Sequence, residues 1–317
     1  MTLKTDLLIL GTRGSELALR QTDMVMAALR AAHPDLQVEK KIIATTGDKR
    51  QDLRFSEFTE GGRLDKGIFT KELELALESG EIHAAVHSLK DVPTEIASHF
   101  CIAAVLPRAP IEDVLVSRDG WTIQTLPKNA KVGTSSVRRI RQLTWLRNDV
   151  TCVEIRGNVP TRLRKLFQPS DLDAVLLARA GVDRLGLLSG DKISVDGKKL
   201  HAAILPCDEF LPAAGQGAIG IEARRDNARA LELLCAINHE DTFTRVSVER
   251  EFLHLLRAGC QTPIGAYTEI KGDTLRMKVC VFDESDAGRK PLEAEVSGSI
   301  SSPLTVAADL AKRIQSS

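Results

Sequence analysis

Along the first two-thirds of the chain, short continuous apolar runs alternate with stretches of 3.6-residue apolar period. The run Leu7-Leu8-Ile9-Leu10 breaks at Gly11-Thr12-Arg13-Gly14-Ser15, and a helical pattern follows. The run predicts a buried strand over residues 5–11. Ser15 predicts the cap of a helix reaching about His33, with Leu17, Ala18, Met24, Val25, Ala28 and Leu29 on its apolar stripe. Gln21 falls on the same face, where an amide needs a polar partner, either a ligand or a core group. Val38–Thr45 reads as a second strand, Ile68–Ser79 as a helix closed by Gly80, and Ala84–His87 as a short buried strand. The intervening loop 47–66 is polar, rich in Asp, Arg and Gly and without a period, the character of a lid or binding loop.

Residues 131–187 repeat this scheme. Gly11-Thr12-x-x-Ser15 is matched by Gly133-Thr134-x-Ser136, and Glu81-Ile82-His83-Ala84-Ala85-Val86 by Asp171-Leu172-Asp173-Ala174-Val175-Leu176. Strand–helix alternation implies parallel sheets, and two such halves predict twin α/β domains with their helix ends on the facing walls of one cleft. Pro107–Pro110 and Leu205–Pro212 are the expected crossings. From Ala236 the texture changes to a helix (Arg245–Leu256), strand-like runs at Gly265–Ile270, Leu275–Phe282 and Leu292–Gly298, and a last helix over Leu304–Ile314. The expected division is 1–106 with 212–235, 107–211, and a small α+β domain over 236–317.

Arginine accompanies the helix start three times: at Arg13, at Arg138-Arg139 after Gly133-Thr134-Ser135-Ser136, and at Arg156 and Arg162 around Gly157-Asn158. A helix N-terminus disfavours a cation by roughly 0.3–1 kcal/mol. An anion lying between the free N–H groups and the guanidinium forks would reverse that preference. Three repetitions point to a ligand with several carboxylates or phosphates. Lys+Arg and Asp+Glu both number 43, so the arginines act locally and a broad nucleic-acid footprint is excluded. At 4% aromatic residues, a base-stacking platform is not expected either. The six cysteines form no Cys-x-x-Cys pair and the histidines show no metal spacing, so free thiols and no metal are expected. Without a signal core or a membrane-length apolar run, the expectation is a cytoplasmic protein that engages neither membrane nor nucleic acid.

Two further segments carry candidate chemistry. His87-Ser88-Leu89-Lys90-Asp91-Val92-Pro93 follows a buried strand, and Pro93 biases Val92 to an extended shape, which predicts Asp91 as a loop carboxylate suited to electrostatic or acid–base work. Arg257-Ala258-Gly259-Cys260-Gln261-Thr262-Pro263 predicts a tight turn made by Gly259, with Cys260 exposed as a nucleophile or attachment point; the other five cysteines read as packing. Gly215-Gln216-Gly217-Ala218 matches no nucleotide-binding fingerprint and reads as a turn of close approach at a crossing.

Taken with Lys66-Gly67-Ile68-Phe69-Thr70-Lys71-Glu72 and Pro212 to Gly220, these motifs make the chain resemble the porphobilinogen deaminase family over nearly its whole length. The resemblance implies two type II periplasmic-binding-like α/β domains around a cleft, plus a small C-terminal α+β domain carrying the cysteine. It implies condensation of four porphobilinogen molecules with loss of ammonia into hydroxymethylbilane, on a dipyrromethane cofactor held by a thioether to Cys260. It further implies that Lys90, Thr134, Ser136, Arg138, Arg139 and Arg162 hold the cofactor's acids. Arg13, Ser15, Gln21, Arg156 and Arg184 would hold the substrate or the growing chain. Asp91 would contact pyrrole N–H groups and oppose the positive charge left by departing ammonia. Arg63 and Lys66 would belong to the closing loop. The chain departs from the family pattern at Ala258 and Glu112, where glycine and a basic or polar residue are expected, and in its longer Gly61–Lys66 run. A monomer is expected, since no apolar stripe is spare. The competing reading is a non-catalytic polyanion binder on the same scaffold, which would leave Cys260 idle.

Overall fold

A computed structural model describes residues 7–45, 70–168, 172–259, 262–286 and 288–316, with the backbone alone of 59–60 and 63–64. The chain opens with β1 (Leu7–Thr12), α1 (Glu16–Ala32), β2 (Gln37–Ile42), the short pair β3 (Thr59–Glu60) and β4 (Arg63–Leu64), α2 (Lys71–Glu78), β5 (Ala84–Ser88) and β6 (Phe100–Val105). Next come β7 (Asp113–Ser117), β8 (Lys131–Gly133), α3 (Val137–Leu146), β9 (Thr151–Val153), α4 (Val159–Arg164), β10 (Ala174–Ala178), α5 (Arg179–Arg184), β11 (Leu188–Ser189), β12 (Lys192–Val195) and β13 (Lys198–Leu205). Last are β14 (Ile219–Arg224), α6 (Ala228–Cys235), α7 (Glu240–Leu255), β15 (Ile264–Lys271), β16 (Thr274–Val281), β17 (Leu292–Ser299) and α8 (Pro303–Gln315). Among the described residues no helix is long and apolar enough to cross a membrane.

Two compact units result, Met1–Arg108 with Ala218–Phe243 and Ala109–Gly217 with Thr244–Ser317. The first holds a sheet of order β2-β1-β5-β14-β6. Leu8, Leu10, Val86, Ile219 and Ile221 pack one face against Val25 and Leu29 of α1 and Leu233 and Leu234 of α6. Ala85 and Phe100 meet Leu73 and Leu77 of α2 on the other face. Cover on both faces explains why the strands read as continuous apolar runs. Along α1 the buried stripe is Gln21, Thr22, Val25, Met26 and Leu29; Met24, predicted inward, is 43% exposed and Met26 takes its place.

The second unit holds the sheet β11-β12-β13-β7-β10-β8-β9. Within it, β9-β8-β10-β7-β13 repeats the order of the first sheet strand for strand. Ala174-Val175-Leu176 opens β10 as Ala84-Ala85-Val86 opens β5, the pairing read from the sequence repeat. The sheets are mixed and not parallel: β14 runs antiparallel to β5 and β6, and β7 antiparallel to β10 and β13. These two strands directly follow the crossings, so no crossover helix forces them parallel. This is the strand plan of the type II periplasmic-binding fold. The C-terminal segment forms its own three-stranded antiparallel sheet, β15-β16-β17, whose core joins Ala266, Met277, Val279 and Val296 to Phe252 of α7 and Leu310 of α8.

Candidate active site

In the first unit the predicted residues gather at the carboxyl ends of β1 and β5, which are neighbours in the sheet. The turn after β1 is set by local bonds. The buried Thr12 hydroxyl lies 3.2 Å from the Arg13 carbonyl and 3.3 Å from that of Ala18. Ser15 Oγ accepts from the Ala18 amide at 3.3 Å and caps α1, as its position predicts. Arg13 is half-buried and precedes that cap, so it lies in the turn and outside the helix. Gln21, 2% exposed, has an internal partner: Nε2 donates to Ser88 Oγ at 2.9 Å, and Ser88 Oγ lies 3.1 Å from Gln21 Oε1. It is a core amide that joins α1 to the end of β5.

Beyond Ser88 the chain makes a single 3₁₀ turn, Leu89–Asp91. Asp91 was expected in an open loop; the turn includes it because its one bond, Val92 N–H to Leu89 O at 3.2 Å, leaves Val92 extended (φ −83°, ψ 127°), as Pro93 requires. Leu89 is buried and anchors the turn, Lys90 is half-buried and Asp91 is exposed. Beneath it, His87 Nε2 stands 3.0 Å from Glu222 Oε2, both side chains buried, and ties β5 to β14. Burial raises the pKa of the nearby Glu74 carboxyl, and Glu222 pushes it the same way.

In the second unit the arginines at the start of α3 turn inward. Ser136 Oγ caps the helix, accepting from the Arg139 amide at 3.5 Å, and Thr134 is buried with its N–H on Val153 O at 2.9 Å. Arg139 donates from Nε (3.1 Å) and Nη2 (2.7 Å) to Asp113 Oδ1 and from Nη1 to Leu176 O (3.1 Å). Arg138 Nη1 stands 2.8 Å from Asp113 Oδ2 and donates to Leu211 O at 2.6 Å. Gln142 holds the same Leu211 by its carbonyl and its N–H, and Gln216 Nε2 donates to Asp113 Oδ1 at 2.9 Å. The cation at this helix start is therefore offset by a carboxylate of the chain itself. Burial pushes the Asp113 carboxyl up, but the two guanidiniums and their hydrogen bonds overcome this and hold it well below the usual carboxylate range. Burial lowers the pKa of Arg138, against the pull of Asp113. Its Nε is buried and has no acceptor among the described residues.

The remaining predicted arginines sit nearby in sequence but are differently engaged. Arg156 donates from Nε and Nη2 to Glu154 Oε1, each at 3.0 Å, an exposed pairing of small worth. Arg162 Nε donates to Gly157 O at 2.8 Å, while Asn158 Oδ1 caps α4. Arg162 thus lies within α4 and not at its opening. Arg184, at the end of α5, donates from Nη2 to Gly217 O at 2.7 Å; burial lowers its pKa to about 10, so it stays charged at neutral pH, and its buried Nε has no acceptor among the described residues. Gly217 adopts φ +82°, and a Cβ there would stand 2.6 Å from Ala109 O, the close approach predicted for this turn. Glu112, a departure in the sequence, accepts from Arg179 Nη1 at 3.1 Å.

Cys260 lies outside the described residues, as do Lys66 and all of loop 47–66 except the backbone of β3 and β4. The turn leading to Cys260 corrects one expectation. Arg257 N–H bonds His254 O (2.8 Å) and Ala258 N–H bonds Leu253 O (2.9 Å), a Schellman closure of α7. The left-handed residue is Arg257 (φ 53°), not Gly259, and Ala258 is buried in the cluster that also holds Leu253. Of the other cysteines, Cys235 is exposed, against the expectation of packing. Sequence reasoning missed Asp113, Gln142 and Glu222, whose acidic or amide side chains carry no local signal of burial.

Two family models match the chain: "Porphobilinogen deaminase, dipyromethane cofactor binding domain" over residues 8–232 and "Porphobilinogen deaminase, C-terminal domain" over 243–316. The porphobilinogen deaminase of Syntrophomonas wolfei is 47% identical over 269 residues, covering 85% of this chain and 83% of its own. That of Moorella thermoacetica is 42% identical over 306 residues, covering 96% and 91%. Among solved structures, the periplasmic VFT2 domain of Bordetella pertussis BvgS is 15% identical with a TM-score of 0.41, over 77% of this chain and 92% of its own.

Proposed function

The chain belongs to the porphobilinogen deaminase family, and from that premise we propose that it joins four porphobilinogen molecules head to tail, releasing ammonia at each addition, to give hydroxymethylbilane. The observation that carries this reading is the match of the two family models across nearly the whole chain, residues 8–232 and 243–316. On this reading the chain has the parts 1–106 with 212–235, 107–211 and 236–317. It acts as a cytoplasmic monomer, binding neither nucleic acid nor membrane.

The residues fit a dipyrromethane group, whose acetate and propionate arms need buried donors. Arg138 Nε is such a donor, buried and without an acceptor among the described residues, and Arg184 Nε offers the same to the substrate. When bound, through a thioether to Cys260, the group supplies a pyrrole α-carbon from which a chain can be extended. Lys90, Thr134, Ser136, Arg138, Arg139 and Arg162 hold its carboxylates. Arg13, Ser15, Arg156 and Arg184 hold those of porphobilinogen, with Gln21, bonded to Ser88, at the same site. The forked guanidinium is the appropriate donor because each carboxylate can take two parallel bonds. Asp91, exposed on its anchored turn, accepts from the pyrrole N–H of porphobilinogen. As the C–N bond to the amine breaks, the pyrrole carries positive charge, and a fixed carboxylate opposes it.

Intact mass tests the reading. After incubation with porphobilinogen, the protein should exceed its sequence mass by two linked pyrrole units or more, and Cys260→Ser should not. A wild-type mass that stays at the sequence value would overturn it.

A further inference from the structure

Two guanidiniums and one carboxylate meet at the start of β7. Asp113 is 0% exposed, Arg138 4% and Arg139 5%. One positive charge is left over in a place where water cannot screen it, and one buried donor, Arg138 Nε, is left without an acceptor among the described residues. Asp113 is itself immobilised: Arg139 grips Oδ1 with two N–H groups, Gln216 donates to the same oxygen, and Arg138 stands against Oδ2. Packing alone would not require a charge here. A carboxylate that removes one of two positive charges leaves an anion site of defined valence.

We infer that Asp113 is a positioning residue of the polyanion site: it orients Arg138 and Arg139 and cancels one of their charges, leaving one buried positive charge for a carboxylate of the bound group. The inference rests on the reading that this cluster receives the cofactor's acids. Asp113 touches neither cofactor nor substrate. It acts on charge balance, and so its effect must depend on whether the site is filled. Without it two buried guanidiniums lack a counter-charge, and a bound carboxylate supplies part of what is missing.

The test compares wild type and Asp113→Asn, each as the unloaded protein and after loading with porphobilinogen. Loading is read by intact mass and stability by calorimetric unfolding midpoint. The unloaded variant should melt below unloaded wild type. Loading should raise its midpoint by about 5 °C more than it raises that of wild type. A merely packing role lowers the loaded and unloaded midpoints equally, and that outcome overturns the inference. Should unloaded Asp113→Asn fail to fold, Asp113→Asn/Arg139→Gln restores the charge balance and should fold. A double variant that stays unfolded also overturns the inference. Failure of wild type to gain mass is distinguishable from these results: it overturns the functional reading first and this inference with it.

Discussion

Replacing Gly217 by alanine separates backbone strain from steric blockage at the return crossing. At φ +82° an L-residue is left-handed, a cost of about 1–2 kcal/mol. The added Cβ would meet Ala109 O at 2.6 Å, Ile111 Cγ2 at 3.2 Å and Pro110 O at 3.3 Å. Two of the three are backbone oxygens, so no rotamer change relieves the contact. The segments must part, and the bonds that Gly217 O accepts from Ala109 N (3.1 Å) and Arg184 Nη2 (2.7 Å) are stretched or lost, a further ~2 kcal/mol. The expected loss for Gly217→Ala is about 3–4 kcal/mol. Gly197→Ala is the internal control. Gly197 has φ +75° in the Asp196-Gly197 hairpin turn, and its Cβ would meet nothing within 4 Å, so only the strain of about 1–2 kcal/mol applies. Both variants are unfolded in urea and followed by tryptophan fluorescence. Equal losses would refute the steric argument, since the two share a left-handed φ and only Gly217 has close neighbours.

Asp91→Asn should load to the wild-type mass yet lose ~100-fold or more in kcat; near-normal turnover would remove Asp91 from the chemistry. Arg257→Gly should stabilise the protein by about 0.5–1 kcal/mol in thermal unfolding, because Gly adopts the left-handed turn after α7 without strain; a lower midpoint would contradict that assignment. Burial raises the thiols of Cys152 to about 11 and Cys280 to about 12, the latter with help from Glu293, so at pH 7.5 both are almost wholly protonated. Of these three thiols, iodoacetamide at that pH should mark the exposed Cys235 before Cys152 and Cys280, and labelling of Cys280 should quicken as pH rises toward its pKa; peptide masses showing Cys280 labelled as fast as Cys235 would contradict its burial.

What the sequence disclosed was whatever is encoded locally. Ser15 announced its helix start because capping is a short-range bond, and the Gly-Thr repeat with its matched strands β5 and β10 exposed the twin design. The antiparallel course of β7 and β14 was hidden, because strand direction after a crossing depends on where the chain re-enters the sheet. Asp113 was hidden for a related reason. In Ile111-Glu112-Asp113-Val114 it looks like a solvated acid, and its partners lie more than twenty residues away at Arg138 and Arg139. The expectation that arginine at a helix start calls for an anion was sound for α3, but the nearest anion proved to be a side chain of the same chain. Gln21 showed in the sequence that it needs a polar partner, and only the fold reveals that Ser88 is one.

The strand exchange between the two sheets bears on how the chain is made. On the ribosome β1, β2 and β5 emerge early, yet β14, which pairs with β5 on one side and β6 on the other, arrives only after β7 through β13 have been synthesised. At ~5–20 residues per second the ~130 residues from β5 to β14 take roughly 7–26 s. Throughout that time β5 presents an unpaired apolar edge, Ala84-Ala85-Val86, and β6 has no neighbour in its sheet. The first unit therefore cannot be completed as an N-terminal fragment, and truncation anywhere before β14 should yield an aggregation-prone chain instead of a smaller folded one.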